Sequence, residues 1–251
     1  MLLLLPPSES KAEGRRGRPV DLDRLTFAPA LTPTRQRVAA ALAEVSASPA
    51  APDVLGVPAT LAGEVARNTR LATAPSLPAG ACYTGVLYDA LDLGTLGAAA
   101  RRRAARRVVV VSALYGAVRL TDRIAAYRLS MAVALPGLGS VAAAWRPVLD
   151  ESLTAAAGRG LVVDCRSSTY VAAWRPSGNL TRRWVQVRVP GATHLAKHTR
   201  GLVARALSES PDDPRTPEAL AELLARDHPF AVALHPPTSP RGPVVLDVTV
   251  R

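Results

Sequence analysis

The chain has 251 residues and 48% hydrophobic content, enough apolar material for a packed core and too much for a disordered polypeptide. No window approaches the roughly 18 consecutive apolar residues that cross a bilayer, and Leu2–Leu5, with no basic residue before it, is far short of the roughly 7–15 residues of an export signal, so a cytoplasmic protein without a membrane partner is expected. A net charge of +11 favours polyanionic or phosphorylated partners without defining where they would bind. Cys82 and Cys165 lie far apart and form no CxxC pair, which argues against a disulfide framework or a zinc cluster and reads them as small buried hydrophobes.

In chain order, "LLLL" at Leu2–Leu5 is a continuous apolar run stopped by Pro6 and Pro7, the pattern of a buried strand. "TPTRQRVAAALAEV" predicts a helix with Thr32 as N-cap and Pro33 at the first helical position, where no N–H is needed. Helices are also predicted over 60–71 ("TLAGEVARNTRL") and 95–107 ("TLGAAARRRAARR"), the second running into a strand at Val108–Val111. Strands follow at Leu161–Cys165 and, half exposed by its alternation, at Trp184–Val189. A helix runs from Lys197 through Leu207. "TPEALAELLARD" repeats the cap with Thr216 and Pro217 and sets acids in its first turn, and Val244–Val250 is the last strand. Pro-rich stretches at 73–80, 208–217 and 235–243 are surface loops, none long enough to link domains, so residues 1–251 read as one domain. Strands alternating with helices predict an α/β fold with a sheet at least partly parallel. The cations of "RRRAARR" (101–107) suit a solvated helix end, with a nucleic-acid patch as the less favoured reading.

The chemistry gathers after the apolar strands. "LLLL" runs into "PPSESK", "VVVV" into "SALYGAVR" and "LVVDC" into "RSSTY". In open α/β sheets ligands bind beyond the carboxyl ends of parallel strands, so if these three are parallel neighbours, Ser8, Lys11, Ser112, Tyr115, Ser167 and Tyr170 share one cleft. A single serine in such a place is more often a turn or helix cap; three together favour the cleft. The chain contains 31 Lys plus Arg, of which only Lys11 and Lys197 are lysines. Where any cation serves, this sequence writes Arg, so each lysine is informative. In "THLAKHTRGLVAR", helical spacing puts Lys197, Arg200 and Gly201 on one face, an anion cradle of a compact ammonium and a forked guanidinium. His194 and His198 have metal-ligand spacing, but no Glu stands between them as in HExxH and no third ligand is evident, so no metal site is assigned. No GxGxxG, P-loop or GxSxG motif occurs, no cofactor is implied, and no catalytic residue is assigned.

At these residues the chain resembles the YaaA family of peroxide stress proteins. The resemblance rests on the opening strand with its PPSExK-type loop (Pro6, Pro7, Ser8, Glu9, Lys11), "YTGVLYDAL" from Tyr83, "SALYGAVRLTDRIAAYRLSM" from Ser112, "SSTY" ending at Tyr170, and "AKHTRGLVAR" around Lys197 and Arg200. It implies a single compact domain, a monomer, with a central mixed sheet surrounded by helices. It further implies a cytosolic role in the response to hydrogen peroxide, keeping free iron low and limiting damage to DNA and proteins. A helix-hairpin-helix-like element and DNA binding are also implied; the element would fall at 55–68 ("LGVPATLAGEVARN"), where Gly56, Val57 and Pro58 replace the usual GxG.

Two readings follow. One is a non-enzymatic stress protein that binds DNA through its basic surface. The other is an enzyme or binder of a phosphorylated or carboxylated small molecule. In the second, Lys11, Lys197 and Arg200 hold the anion with support from Arg119, and Tyr127 or Tyr170 donates a proton or hydrogen bond. Glu9, Tyr83 and Arg128, from the same motifs, complete the candidate ligand-binding set. Direct iron sequestration has little support, because His194, His198, Asp164 and Glu9 are scattered in sequence.

Overall fold

The computed structural model describes residues 1–191 and 194–251, with His194 described only through its backbone; the predicted His194/His198 pair therefore lies partly outside the described residues. Strands β1 (Leu2–Leu5), β2 (Val108–Ser112), β3 (Gly116–Arg119), β4 (Val162–Asp164), β5 (Trp184–Arg188), β6 (Phe230–His235) and β7 (Val244–Val250) form one sheet in the order β6-β7-β5-β4-β1-β2-β3. The five central strands are parallel, and an antiparallel strand closes each edge. This is the α/β architecture with a mixed, mostly parallel sheet. β1 lies in its interior, with Leu4 beside Val109 of β2 on one side and Asp164 of β4 on the other, and all four of its leucines are buried. The chain runs from β1 out to β2 and β3, then returns to lay β4 on the opposite side of β1. That reversal opens a crevice beyond the carboxyl ends of β1 and β4.

The helices are α1 (Thr32–Ser46), α2 (Ala51–Leu55), α3 (Ala62–Arg67), α4 (Ala79–Cys82), α5 (Val86–Leu91), α6 (Ala98–Arg107), α7 (Val141–Ala157), α8 (Ser168–Val171), α9 (His194–Glu209) and α10 (Pro217–Asp227). Several boundaries differ from expectation. Thr32 is the first residue of α1 and not its cap, since its hydroxyl turns to the carbonyl of Leu22 (3.4 Å). The helix predicted over 60–71 is confined to α3, with 3-10 turns on either side. β3, β6 and α7 were not foreseen: β3 hides in a polar motif, and Pro147 lies inside α7. α10 keeps its Thr216 cap, the hydroxyl accepting from the Ala219 N–H.

Two buried polar devices fix the loops near the sheet's carboxyl edge. Arg35 of α1 is fully buried, and its guanidinium donates to the carbonyls of Tyr115 (3.0 Å), Ala117 (2.9 Å) and Thr26 (2.8 Å), satisfying the β2–β3 turn. Desolvation lowers its pKa to about 10, which leaves it charged at neutral pH. In that same turn Gly116 has φ +73°, and a Cβ there would lie 2.5 Å from the Trp145 ring of α7, so only glycine fits. After β4, Asp164 and Arg166 form a fully buried ion pair, with Nη2–Oδ2 at 2.7 Å and Nε–Oδ1 at 2.8 Å. Trp184 donates to the same carboxylate at 3.0 Å, while the Arg166 guanidinium also reaches the carbonyls of Tyr170 and Trp174.

Candidate functional site

The "PPSESK" loop leaves β1 and lies antiparallel against the segment before α5. Lys11 bridges the backbone at Tyr83, Ala12 N–H donates to Cys82 O (2.8 Å), and the Ser8 hydroxyl accepts from the Thr84 N–H (3.1 Å). The Tyr88 hydroxyl holds the turn by donating to Pro6 O (2.8 Å), and its ring stacks on Tyr83 with centroids 5.4 Å apart. Carried in this way, Lys11 points its ammonium over the face of Tyr127, 4.2 Å from the ring centroid, and donates to the carbonyls of Ser8 (2.6 Å) and Glu9 (3.3 Å). Burial lowers its pKa from 10.5 to about 8, a direction opposed by nearby acidic groups and reinforced by Arg128.

Behind Lys11 the hydroxyls form a closed chain. Tyr127 and Ser112 are 2.7 Å apart, Tyr127 and Tyr83 are 3.4 Å apart, and Ser112 also accepts from the Tyr115 N–H. Burial raises the pKa of Tyr83 and Tyr127, which stay neutral hydrogen-bonding groups at physiological pH.

Arg128 comes next along the chain. Buried Asn68 clamps its backbone on both sides, accepting from its N–H (2.8 Å) and donating to its carbonyl (2.9 Å). Glu64 of α3 pairs with the guanidinium at 3.3 Å, and Nη1 approaches Glu9 O at 3.5 Å.

The other wall is α9. A Cβ on Gly201 would come within 2.2 Å of Leu87 O, so the glycine lets α9 cross α5 at backbone contact. That crossing brings Lys197 and Arg200 to the crevice. Lys197 Nζ lies 3.3 Å from the Glu9 carboxylate in an exposed pair. The buried Nε of Arg200 has no hydrogen-bond partner among the described residues.

These elements enclose a cavity of about 530 Å³, within the usual range for small-molecule sites. Its cations are Lys11, Arg128, Lys197 and Arg200, its one carboxylate is Glu9, and Ser8, Ser167 and Tyr170 supply neutral polar groups. Both lysines of the chain thus face the same space. Tyr83, Ser112 and Tyr127 are a layer behind the wall, touching it through Lys11. Two predicted residues lie elsewhere. Tyr115 is buried under Tyr127, edge to face, with its hydroxyl on Ala125 O. Arg119 stands at the far end of β3, because that strand runs antiparallel to β2 and carries it away to the carbonyl of Arg106 and the Phe27 ring.

Sequence reasoning missed Tyr88, Thr84, Ser10, Ser130, Thr169 and the apolar wall of Leu55 and Val57. Each lies in a segment already singled out: Ser10 in "PPSESK", Thr84 and Tyr88 in "YTGVLYDAL", Ser130 in the motif from Ser112, Thr169 in "SSTY", and Leu55 and Val57 in the segment 55–68 that was assigned to DNA. The cluster "RRRAARR" is partly committed to structure: Arg103 donates to Ser208 O (2.9 Å), and Arg107 to Leu207 O (2.6 Å) and Ser210 O (2.9 Å), at the C-terminal end of α9.

The fold and cavity define an α/β protein with a cation-lined cleft at the point where its parallel sheet reverses strand order. A sequence profile described as "Peroxide stress protein YaaA" matches residues 1–231, and the chain belongs to that family. It is similar to a UPF0246 protein of Streptomyces coelicolor, 48% identical over 258 residues that cover 100% of this chain and 98% of the relative. A UPF0246 protein of Corynebacterium efficiens is 39% identical over 231 residues, 89% of this chain and 91% of the relative. For one of Ruegeria the identity is 32% over 147 residues, 53% of this chain and 58% of the relative. No described helix is long and apolar enough to cross a membrane.

Proposed function

We propose that the protein serves the peroxide response as a cytoplasmic monomer whose cleft binds a phosphorylated or carboxylated small molecule. One observation carries this reading: four cationic side chains from three separate regions of the chain converge on a single cavity whose described lining holds one carboxylate, Glu9, while Glu64 pairs with Arg128 from outside that lining. Arg128 and Lys11 both approach the backbone carbonyl of Glu9 while Lys197 approaches its side chain, so the cations surround one point. An anionic ligand there would meet charge-assisted donors and the Arg200 Nε–H, which has no partner among the described residues. Limiting free iron and oxidative damage, the role associated with the family, would follow from what this ligand is or becomes.

Thermal unfolding in the presence of inorganic phosphate, pyrophosphate and nucleotides tests the reading. At about 100 times its Kd a bound anion adds about 2.7 kcal/mol, or about 5–10 °C in Tm for a chain of this size. The shift is expected to vanish in Lys197→Ala/Arg200→Ala. Absence of a shift with any anion in the wild type would sink it.

DNA is a second reading, supported by Leu55, Gly56 and Val57: the turn between α2 and α3, with Gly56 left-handed at φ +63°, lines the same cleft as the cations. Four phosphate contacts predict a salt slope of log K near about −3.6 in gel shifts. No shift at low ionic strength would exclude it.

A further inference from the structure

We propose that Lys11 is a covalent amine, condensing with the carbonyl of a small aldehyde or ketone whose phosphate or carboxylate is held by Arg128, Lys197 and Arg200. The proposal rests on the anion-binding reading above and names its ligand class.

The first support is chemical identity. Lys11 is one of two lysines among 31 basic residues, and an arginine would supply its charge, its cation–π contact with Tyr127 and its bonds to the Ser8 and Glu9 carbonyls. A guanidinium does not lose its proton in a protein and does not form an imine, whereas an amine does both. The second support is place. The Lys11 amine lies on the wall of the cavity at the carboxyl edge of β1, enclosed by aromatic rings, while Lys197 stands at the exposed rim. Enclosure without a contacting carboxylate is how a lysine is activated as a nucleophile. With the amine near 8, about a quarter of it is neutral at pH 7.5, against about 0.1% for an ordinary lysine. The third is the neighbouring charge. Arg128 disfavours an ammonium beside it, against the opposing pull of Glu64 and Glu9, and Arg128, Lys197 and Arg200 line the same cavity, where they would retain an anionic carbonyl compound.

The step balances within these groups. The neutral Nζ lone pair attacks the carbonyl carbon, forming a C–N bond as the C=O π bond breaks. Both amine hydrogens pass to the departing oxygen, which leaves as water, and the C=N imine remains. No oxidant or reductant enters.

Reductive trapping tests it. The intact protein is incubated with glyceraldehyde 3-phosphate and sodium cyanoborohydride, which reduces an imine to a stable secondary amine, and the adduct is mapped by mass spectrometry. Two controls are glyceraldehyde, which lacks the phosphate, and glycerol 3-phosphate, which lacks the carbonyl. Trapping on Lys11 should exceed that with glyceraldehyde on the order of tenfold, the contribution of one good charged contact. It should fall when glycerol 3-phosphate competes, and Lys197 should be labelled only at the background rate. Lys11→Arg should abolish the Lys11 adduct; if that variant does not fold, protection of wild-type Lys11 by glycerol 3-phosphate decides alone. If glycerol 3-phosphate raises Tm but Lys11 is labelled no faster than Lys197, the covalent role is overturned and the anion site stands. If neither binding nor selective labelling is seen, both fall.

Discussion

Breaking the Asp164–Arg166 pair should cost more stability than any substitution at the cavity rim. Both side chains are fully buried, and the carboxylate accepts from Arg166 Nε, Nη2 and backbone N–H and from Trp184 Nε1. Removing one partner of a buried pair costs about 3–5 kcal/mol because the other charge is left uncompensated. Arg166→Met leaves Asp164 with its Trp184 and backbone donors, which places it near the low end, about 3 kcal/mol. Asp164→Asn strands a guanidinium whose remaining partners are the Tyr170 and Trp174 carbonyls, nearer about 5 kcal/mol. Urea unfolding reads both: with a slope of about 3 kcal/mol/M for a chain of this length, the midpoints should fall by about 1 M and about 1.7 M. The double variant has no buried charge left at this site and should lose less than the sum of the singles, a coupling of about 1–3 kcal/mol. Additive losses, or single losses below about 1 kcal/mol, would refute the argument that the pair is internally compensated in a dry site. The anion-induced Tm shift reports the loop in the same samples, since Ser167 and Tyr170 are on the segment that this pair ties down.

Two other outcomes are expected. Because burial holds the folded Lys11 amine near 8 against 10.5 when unfolded, the unfolded state binds more protons between those values. The wild type should therefore gain stability relative to Lys11→Met as pH rises through that window, by up to about 3 kcal/mol; a flat difference across urea titrations from pH 7.5 to 9.5 would contradict it. Gly201→Ala should force α9 away from Leu87 O, costing about 1–3 kcal/mol and several degrees of Tm, and weakening phosphate binding because Lys197 and Arg200 move with the helix; a native Tm with unchanged binding would show the crossing is not tight.

The parallel centre of the sheet was legible because strands buried on both faces are written as unbroken apolar runs, as in Leu2–Leu5 and Val108–Val111. The edges were not. β6 is half exposed, and β3 is short and embedded in a motif whose Tyr, Gly and Arg read as chemistry. That misreading explains Arg119: treating 112–119 as a loop after a strand placed it at the cleft, whereas the antiparallel return of β3 carries it to the opposite end. For the site, the exits of β1 and β4 revealed Ser8, Lys11, Ser167 and Tyr170, and lysine scarcity singled out Lys197. Asn68, which positions Arg128, has no sequence signature, because its partners are a backbone 60 residues away in the chain.

The two lysines occupy unlike environments, and the difference assigns them unlike work. Lys197 and Glu9 are 58% and 73% exposed, so their pair is worth at most about 1 kcal/mol and an arriving anion can replace the Glu9 carboxylate at little cost. Lys11 has no such exchangeable partner: its ammonium is bound to backbone carbonyls that cannot leave without unfolding the β1 exit loop. The rim lysine is thus suited to capture and release, and the enclosed one to a fixed position against whatever has been captured. Glu9 connects them, since its carboxylate faces Lys197 while its carbonyl faces Lys11, so displacement of the side chain by a ligand leaves the inner contact intact. A surface that only gripped a polyanion would have no need of this division, which is why the cleft is read first as a small-molecule site.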